Sequence, residues 1–172
     1  MIVRAALALA AVAAGLLVSG PGGAASRVDA ACTAGALSGS FALVPGSPGA
    51  GNVVYALRLT NRSTRLCFVT GIPRLRLLDR HGRPLPTHVV PAHPGALTAV
   101  IVRLAPRQSA KATARFSPDV PGVGESGKCE PVASKLRVTP SGGGTLVVAV
   151  RPATRVCEHG GMQLTVLVRA RS

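Results

Sequence analysis

The sequence predicts an all-β protein folded as a sandwich of about nine strands. Short runs in which apolar and polar residues alternate recur along the chain, and this is the pattern of strands that bury one face. Gly (20 residues) and Pro (14 residues) are frequent in a chain of 172, as is typical of short strands joined by tight turns. No window shows a helical period of 3.6 residues, so we expect helix beyond the N-terminal segment to be limited to a turn or two.

The first residues predict a signal peptide at residues 1–25. Arg4 precedes an apolar run at residues 5–18, and small residues follow that run. The run is shorter than the roughly 20 residues that a membrane-spanning helix needs, which favours a cleaved signal over a membrane anchor. Cleavage is expected after Ala25, or as late as Ala30. We therefore expect a secreted or extracellular protein, with association at the cell envelope, and no transmembrane segment in the mature chain.

Nine runs predict the strands of a single domain at residues 32–169. The clearest run is residues 53–60, where Tyr55, Leu57 and Leu59 alternate with small or polar residues. Glycine and proline mark the turns between the runs, for example Gly82 and Pro106. The nine runs are residues 37–44, 53–60, 66–70, 74–78, 99–104, 110–117, 136–139, 145–150 and 162–169.

Two longer stretches lack a strand pattern. Residues 83–95 contain four prolines, and we expect them to cross irregularly between the two sheets at an edge. Residues 117–131 are expected to form a long loop that a disulfide near its end restrains.

Four cysteines in an exported chain predict two disulfides. Cys32, Cys67, Cys129 and Cys157 are even in number and widely spaced, without the Cys-x-x-Cys pair of a zinc site. Three pairings are open on the residues alone. Pairing of the nearest cysteines would close loops of 35 and 28 residues, and each bond would then stabilise the fold by about 3.5 to 4 kcal/mol.

One segment has the spacing of a phosphate-binding loop, residues 122–128, which end in Gly127 and Lys128. Cys129 stands where Ser or Thr should hold magnesium, and Pro118 and Pro121 replace the strand that should precede the loop. We therefore interpret the segment as a disulfide-restrained loop and expect no nucleotide cofactor.

Metal binding and catalysis have weaker support in the sequence. The histidines lie in turns or proline-rich segments, and metal capture stays as an alternative in which His88 and His93 approach Met162. Few acidic residues are present, no Ser lies in a nucleophile elbow and no cysteine is spare, so we expect no enzyme. The chain has only four aromatic residues and no Trp, which argues against stacking platforms and specific nucleic-acid binding. The four histidines are His81, His88, His93 and His159.

Positive charge is the feature that points to a function. Removal of the signal peptide leaves 19 basic against six acidic residues for the earlier cleavage, or 18 against five for the later one, a net charge of +13 in both cases. Seven arginines fall within 26 residues and are the candidate anion-binding residues. They are Arg58, Arg62, Arg65, Arg74, Arg76, Arg80 and Arg83. In the strand at residues 74–78, Arg74 and Arg76 alternate with leucines and should face solvent.

The order of certain residues is similar to that of a known family, the secreted actinobacterial domain of unknown function 4232. The resemblance covers about residues 32–168 and implies an immunoglobulin-like antiparallel β-sandwich, exported or lipid-anchored, with no established enzymatic activity. It also implies pairing of Cys32 with Cys67 and of Cys129 with Cys157. Gly20 stands where lipoprotein members have Cys, and Ile72 stands where an aromatic residue commonly precedes the proline. The resemblance rests on Ala31-Cys32-Thr33, residues 55–63, Cys67, Gly71-Ile72-Pro73, Leu77-Leu78-Asp79, Gly82, Leu104-Ala105-Pro106, Cys129 and residues 136–140.

The leading hypothesis from the sequence is a non-catalytic binding or adhesion module at the cell envelope. The seven arginines would contact anionic polymers or lipid head groups, because the planar guanidinium donates two hydrogen bonds to one phosphate. The first alternative is a secreted protein-binding or inhibitor module that presents the loop at residues 117–131. The second alternative is metal capture by histidines.

Overall fold

Strands make up most of the regular structure of the protein. The computed structural model describes residues 29–96, 100–123 and 129–171, so the predicted signal peptide lies outside the described residues. The strands are β1 (Leu37–Leu43), β2 (Val53–Asn61), β3 (Cys67–Thr70), β4 (Arg74–Leu78), β5 (His88–Pro91), β6 (Ile101–Leu104), β7 (Ser109–Phe116), β8 (Ala133–Thr139), β9 (Leu146–Thr154), β10 (Gly161–Leu164) and β11 (Val168–Arg169).

The helical content is small, which confirms the sequence prediction for the described residues. One turn of 3-10 helix spans Ala34–Ala36, and one four-residue turn, α1, spans Cys157–Gly160. Within α1, Glu158 and His159 have left-handed backbone angles, so even this turn is not a regular helix. None of the helical segments among the described residues has the length and apolar composition that a membrane-spanning helix requires.

The nine-stranded sheet is mixed and curves nearly into a barrel. Its strands lie in the order β4-β8-β9-β1-β2-β7-β10-β5, β11 also pairs with β7, and β3 and β6 form a separate two-stranded sheet. The expectation of a wholly antiparallel arrangement is wrong, because β1 pairs with β9 in parallel and β10 pairs with β5 in parallel. At the β4 edge, the Leu77 N–H donates to Thr87 Oγ1 at 2.9 Å, and the Leu77 carbonyl accepts from the Leu85 N–H at 2.9 Å. These bonds bring the segment before β5 against β4.

The strand β5 corrects the prediction for residues 83–95. The four prolines predict an irregular crossing there, but His88–Pro91 form an edge strand beside β10. Pro91 ends this strand, and only β10 pairs with it, so the missing proline N–H interrupts no central ladder. The run at residues 162–169 also differs from its prediction, because it is divided into β10 and β11.

The core lies between the inner faces of the curved sheet and the two-stranded sheet. On β2, Tyr55, Leu57 and Leu59 are buried, as the alternation predicts, and alanines of β7 pair with each of them. The Tyr55 ring lies 5.1 Å from the Phe41 ring and 5.2 Å from the Phe116 ring, measured between centroids. The Tyr55 hydroxyl donates to the Pro152 carbonyl at 2.9 Å, so the polar atom of this central side chain is satisfied.

Two disulfides are present, which confirms that prediction. Cys32 is bonded to Cys67 at the start of β3, and Cys129 is bonded to Cys157 at the start of α1. This is the pairing that the family resemblance implies. The second bond joins the end of the loop at residues 117–131 to the buried Cys157, whose N–H also donates to the Ser117 carbonyl at 2.9 Å.

Candidate anion-binding groove

The seven candidate arginines lie in separate parts of the fold and not on one continuous face. Arg74 and Arg76 are on β4, and both are exposed while Leu77 is buried, which confirms that they face solvent. Arg58 is exposed on β2, and three strands, β8, β9 and β1, lie between β4 and β2 in the sheet. The sequence spacing of these arginines therefore does not predict their spacing on the surface.

Arg74 and Arg76 lie beside a third arginine, Arg137, which is not one of the seven candidates. In the antiparallel pair of β4 and β8, Arg137 lies directly opposite Arg76, and Thr139 lies opposite Arg74. Directly opposite residues in such a pair have Cβ atoms only about 4.5–5.5 Å apart. Two guanidinium groups facing each other repel, and an anion placed between them would remove that repulsion.

These three arginines line a groove with a volume of about 650 Å³. No carboxylate belongs to the described residues of its lining. The acidic residues that form ion pairs in the described part of the chain pair with cations outside the groove, namely Arg83, Arg103 and His159. The groove is therefore a concave surface of uncompensated positive charge. We call it the basic groove, and its lining is Arg74, Leu75, Arg76, Thr87, Val89, Arg137, Thr139, Gly143, Gly144 and Thr145.

A glycine-rich loop between β8 and β9 contributes Gly143 and Gly144 to the lining of the basic groove. Gly144 has a φ of 72°, a left-handed conformation that glycine adopts without strain. Gly142 packs so closely that an added Cβ would lie 2.5 Å from the Cys32 carbonyl oxygen. The loop is thus held against the segment that the Cys32–Cys67 disulfide fixes, and this contact gives the groove a firm wall.

Thr87 also lines the groove and connects β4 to the segment before β5. Its hydroxyl accepts from the Leu77 N–H and donates to the Leu85 carbonyl, both at 2.9 Å, so it positions β5 against β4. Because the Thr87 hydroxyl is already used in these two bonds, the hydroxyls of Thr139 and Thr145 are the side-chain donors that can bind a ligand beside the arginines.

Arg80 and Arg83 lie in the turn after β4, and their hydrogen bonds are made within that turn. The Arg83 guanidinium lies 2.7 Å from Asp79 Oδ2, and the backbone N–H groups of His81 and Arg83 donate to Asp79 Oδ1. Partial burial of Asp79 opposes its ionisation, but the hydrogen bonds from Arg83 and His81 outweigh burial and lower the pKa of the Asp79 carboxyl to about 2. Arg80 Nε donates to His81 Nε2 at 2.8 Å.

Arg62 and Arg65 are exposed in the connection from β2 to β3, outside the lining of the basic groove. Buried Asn61 organises this connection, because its amide donates to the Arg65 carbonyl at 2.7 Å and to the Leu104 carbonyl at 2.8 Å. Arg58 belongs to a second basic cleft of about 530 Å³, together with Arg107, Arg169 and Arg171.

The residues proposed for metal capture are not gathered into one site. His88 lies beside Met162 at the cleft formed by β5 and β10, whereas His93 lines a different cavity. Among the described residues, no group of three or more His, Cys, Asp or Glu side chains could hold a metal ion. The segment with phosphate-loop spacing lies mostly outside the described residues, which include only Gly122 and Val123 of it.

The chain matches the model of a known protein family over most of its length. The family model of the domain of unknown function DUF4232 matches residues 32–167. The protein belongs to the DUF4232 family. The DUF4232 match begins at Cys32, the first disulfide cysteine, ends at Leu167, which is buried, and contains all three arginines of the basic groove. No curated protein shows significant sequence similarity to this chain.

Proposed function

We propose that this DUF4232 protein is an exported, non-catalytic module that binds anionic polymers or lipid head groups at the cell envelope through the basic groove. The observation that carries the proposal is the convergence of Arg74, Arg76 and Arg137 in one concave surface whose described lining has no carboxylate. Like charges placed directly opposite each other destabilise a sheet, so the arrangement is favourable when an anion is bound between them.

The chemistry of the groove favours phosphate-rich polymers. A guanidinium donates two parallel hydrogen bonds to a phosphate, and the hydroxyls of Thr139 and Thr145 can donate to further oxygens. The groove is open to solvent and not an enclosed cavity, so it can accept one part of a longer anionic chain.

Export is part of the proposal. The N-terminal sequence has the pattern of a cleaved signal peptide, and two disulfides are typical of proteins in oxidising compartments. The resemblance to secreted actinobacterial members supports the same location and an immunoglobulin-like sandwich architecture. A net charge of +13 for the mature chain would favour approach to an anionic envelope.

Salt dependence of polymer binding tests the proposal. The mature protein should bind fluorescent polyphosphate at low salt and lose affinity steeply between about 50 and 200 mM salt, because each arginine contact releases counterions. The double variant Arg74→Gln/Arg76→Gln should bind more weakly, with a salt slope shallower by roughly 0.7 to 0.9 per lost contact.

The matched control is Arg62→Gln/Arg65→Gln, which removes the same charge from the β2–β3 connection. It should keep the parent affinity and slope to within about twofold. Equal losses in the two double variants would mean that diffuse net charge binds the polymer, and the basic groove would then be rejected as the site.

A second candidate function rests on the loop at residues 117–131. Val120 is 51% exposed and Val123 is fully exposed in its described part, while the Cys129–Cys157 bond and the Ser117 contacts fix its two ends. An exposed apolar segment on fixed ends suits insertion into a cleft of another protein. Such binding would weaken only mildly with salt, and Val123→Asp would abolish it without changing polyphosphate affinity.

A further inference from the structure

An apolar cavity of about 340 Å³ lies beside β7, on a different part of the fold from the basic groove. Its volume is near the lower end of the range for small-molecule pockets, about 300–1,000 Å³, and so suits a slender ligand. Most of the apolar lining comes from β5 and the residues after it, from β10, β11 and the bend between them, and from the segment before β4, and β7 contributes Ala112. The apolar residues are Ile72, Pro91, Ala92, Ala96, Ala112, Leu164, Val166 and Val168.

A bulge between β10 and β11 opens this cavity. Leu164 pairs with Ala114 of β7, and Val168 pairs with Lys111, so three residues on one side face two on the other. The extra residue forces the backbone away from β7, and the Leu167 N–H donates to the Gly71 carbonyl at 3.0 Å instead. Bulges of this kind are common beside functional sites.

The threonines of the cavity bond to each other. The Thr113 N–H donates to Thr165 Oγ1 at 2.9 Å, the Thr165 N–H donates to the Thr113 carbonyl at 2.9 Å, and the two hydroxyl oxygens lie 3.4 Å apart. The other polar side chains of the described lining are His93 and Lys111, and its remaining residues are apolar. Because the threonines already have partners, the cavity between the apolar residues favours a hydrocarbon ligand over a polar one.

A cationic surface begins at the rim of the cavity. Lys111 lines the cavity, and Arg58 on β2 lies directly opposite Lys111 on the same outer face of the sheet. Val168 lines the cavity, and the next residue, Arg169, lines the second basic cleft. Along β7, Ser109 lies at the cleft and Thr113 at the cavity, each two residues or about 7 Å from Lys111.

Arg169 of this cleft is held in place by neutral hydrogen-bond acceptors. Arg169 donates to Gln108 Oε1 at 2.9 Å and to the Arg103 carbonyl at 2.8 Å. The described lining of the cavity and of the cleft contains no carboxylate. The charge beside the cavity is therefore complementary to an anion.

We propose that the cavity and the adjacent cleft form one site for a single-chain amphiphile with an anionic head group. The hydrocarbon chain occupies the cavity, and Lys111 and Arg58 hold the carboxylate or phosphate head. This site and its ligand are independent of the basic groove at Arg74, Arg76 and Arg137.

Titration calorimetry with alkyl phosphates and fatty acids below their micelle concentrations tests this proposal. Dodecyl phosphate and dodecanoate should each bind with one-to-one stoichiometry. Affinity for alkyl phosphates should rise about fourfold for each added methylene until the chain fills the cavity. Inorganic phosphate, which lacks the chain, and dodecyltrimethylammonium, which has the opposite charge, should both bind at least tenfold more weakly.

Two variants and one control locate the site. Lys111→Gln, at an exposed position, should weaken dodecyl phosphate binding about tenfold, and Val166→Phe should abolish it by filling the cavity. Lys135→Gln removes the same charge from β8 and should leave affinity unchanged. Equal affinity for inorganic phosphate and dodecyl phosphate, or equal losses in Lys111→Gln and Lys135→Gln, would overturn the proposal. Polyphosphate binding by the basic groove should be the same in Lys111→Gln and in the parent, so the proposals for the two sites can be refuted independently.

Discussion

Arg137 offers a sharp test of the account, because its replacement should weaken anion binding without weakening the fold. The residue lies directly opposite Arg76, and both side chains are exposed. Cross-strand like charges cost up to about 1 kcal/mol, and screening by solvent reduces this for exposed groups to roughly 0.2–0.5 kcal/mol. Arg137→Gln should therefore melt about 1–2 °C higher than the parent at low salt. The difference should vanish near 0.5 M salt, where the Debye length is only about 4 Å.

Added anion should reverse this order. Tripolyphosphate at about 100 times its Kd stabilises the parent by about 2.7 kcal/mol, or roughly 10 °C for a domain of this size. A variant that binds tenfold more weakly gains only about 1.4 kcal/mol, or roughly half of that shift, at the same concentration. Melting followed by circular dichroism at low and high salt measures both effects.

The control variant for these melts is Arg62→Gln, an exposed arginine outside the basic groove. It should show the parent's melting temperature and the parent's shift with tripolyphosphate. The reasoning is refuted if Arg137→Gln melts below the parent at low salt in the absence of ligand, or if tripolyphosphate shifts both variants equally.

Three further predictions concern the stability of the fold. Asn61→Ala should lower stability by about 2–3 kcal/mol, seen as a lower urea midpoint at an unchanged m-value, because the Arg65 and Leu104 carbonyls lose a buried donor. The lowered pKa of Asp79 stabilises the fold above the unfolded pKa of about 3.9, and this contribution is lost as pH falls through the folded pKa of about 2. Urea midpoints should therefore fall less between pH 5 and pH 2 in Asp79→Asn than in the parent, and an identical fall would contradict this. Cys129→Ala/Cys157→Ala should lose about 3.5 kcal/mol in the same assay, since the bond closes a loop of 28 residues. A loss below about 1 kcal/mol would count against the chain-entropy argument.

The strand positions could be predicted from local patterns because each pattern reflects burial of one face. The alternation at residues 53–60 predicted β2 within one residue, and the run at residues 74–78 matches β4. The sequence patterns do not predict strand β5, because prolines around it argue against a ladder and a parallel partner 73 residues further along leaves no local signal.

The groove was only half predictable from the sequence. The solvent-facing positions of Arg74 and Arg76 followed from alternation, and the same alternation places Arg137 outward between buried Leu136 and Val138. What the sequence lacks is the register that sets Arg137 opposite Arg76, since register depends on pairing across the whole fold. For the same reason, the crowding of seven arginines in sequence did not predict that β8, β9 and β1 would separate Arg58 from Arg74.

The most direct test of the central claim is to observe the arginine side chains during anion binding. NMR spectra of the ¹⁵N-labelled mature protein resolve the Nε–H groups of individual arginines during a titration with tripolyphosphate. The account predicts saturable shifts at Arg74, Arg76 and Arg137 and at the Gly144 amide, with Arg62 and Arg65 unchanged. Shifts distributed over all the arginines, or confined to those of the cleft around Arg58, would contradict the claim that the basic groove is the anion-binding site.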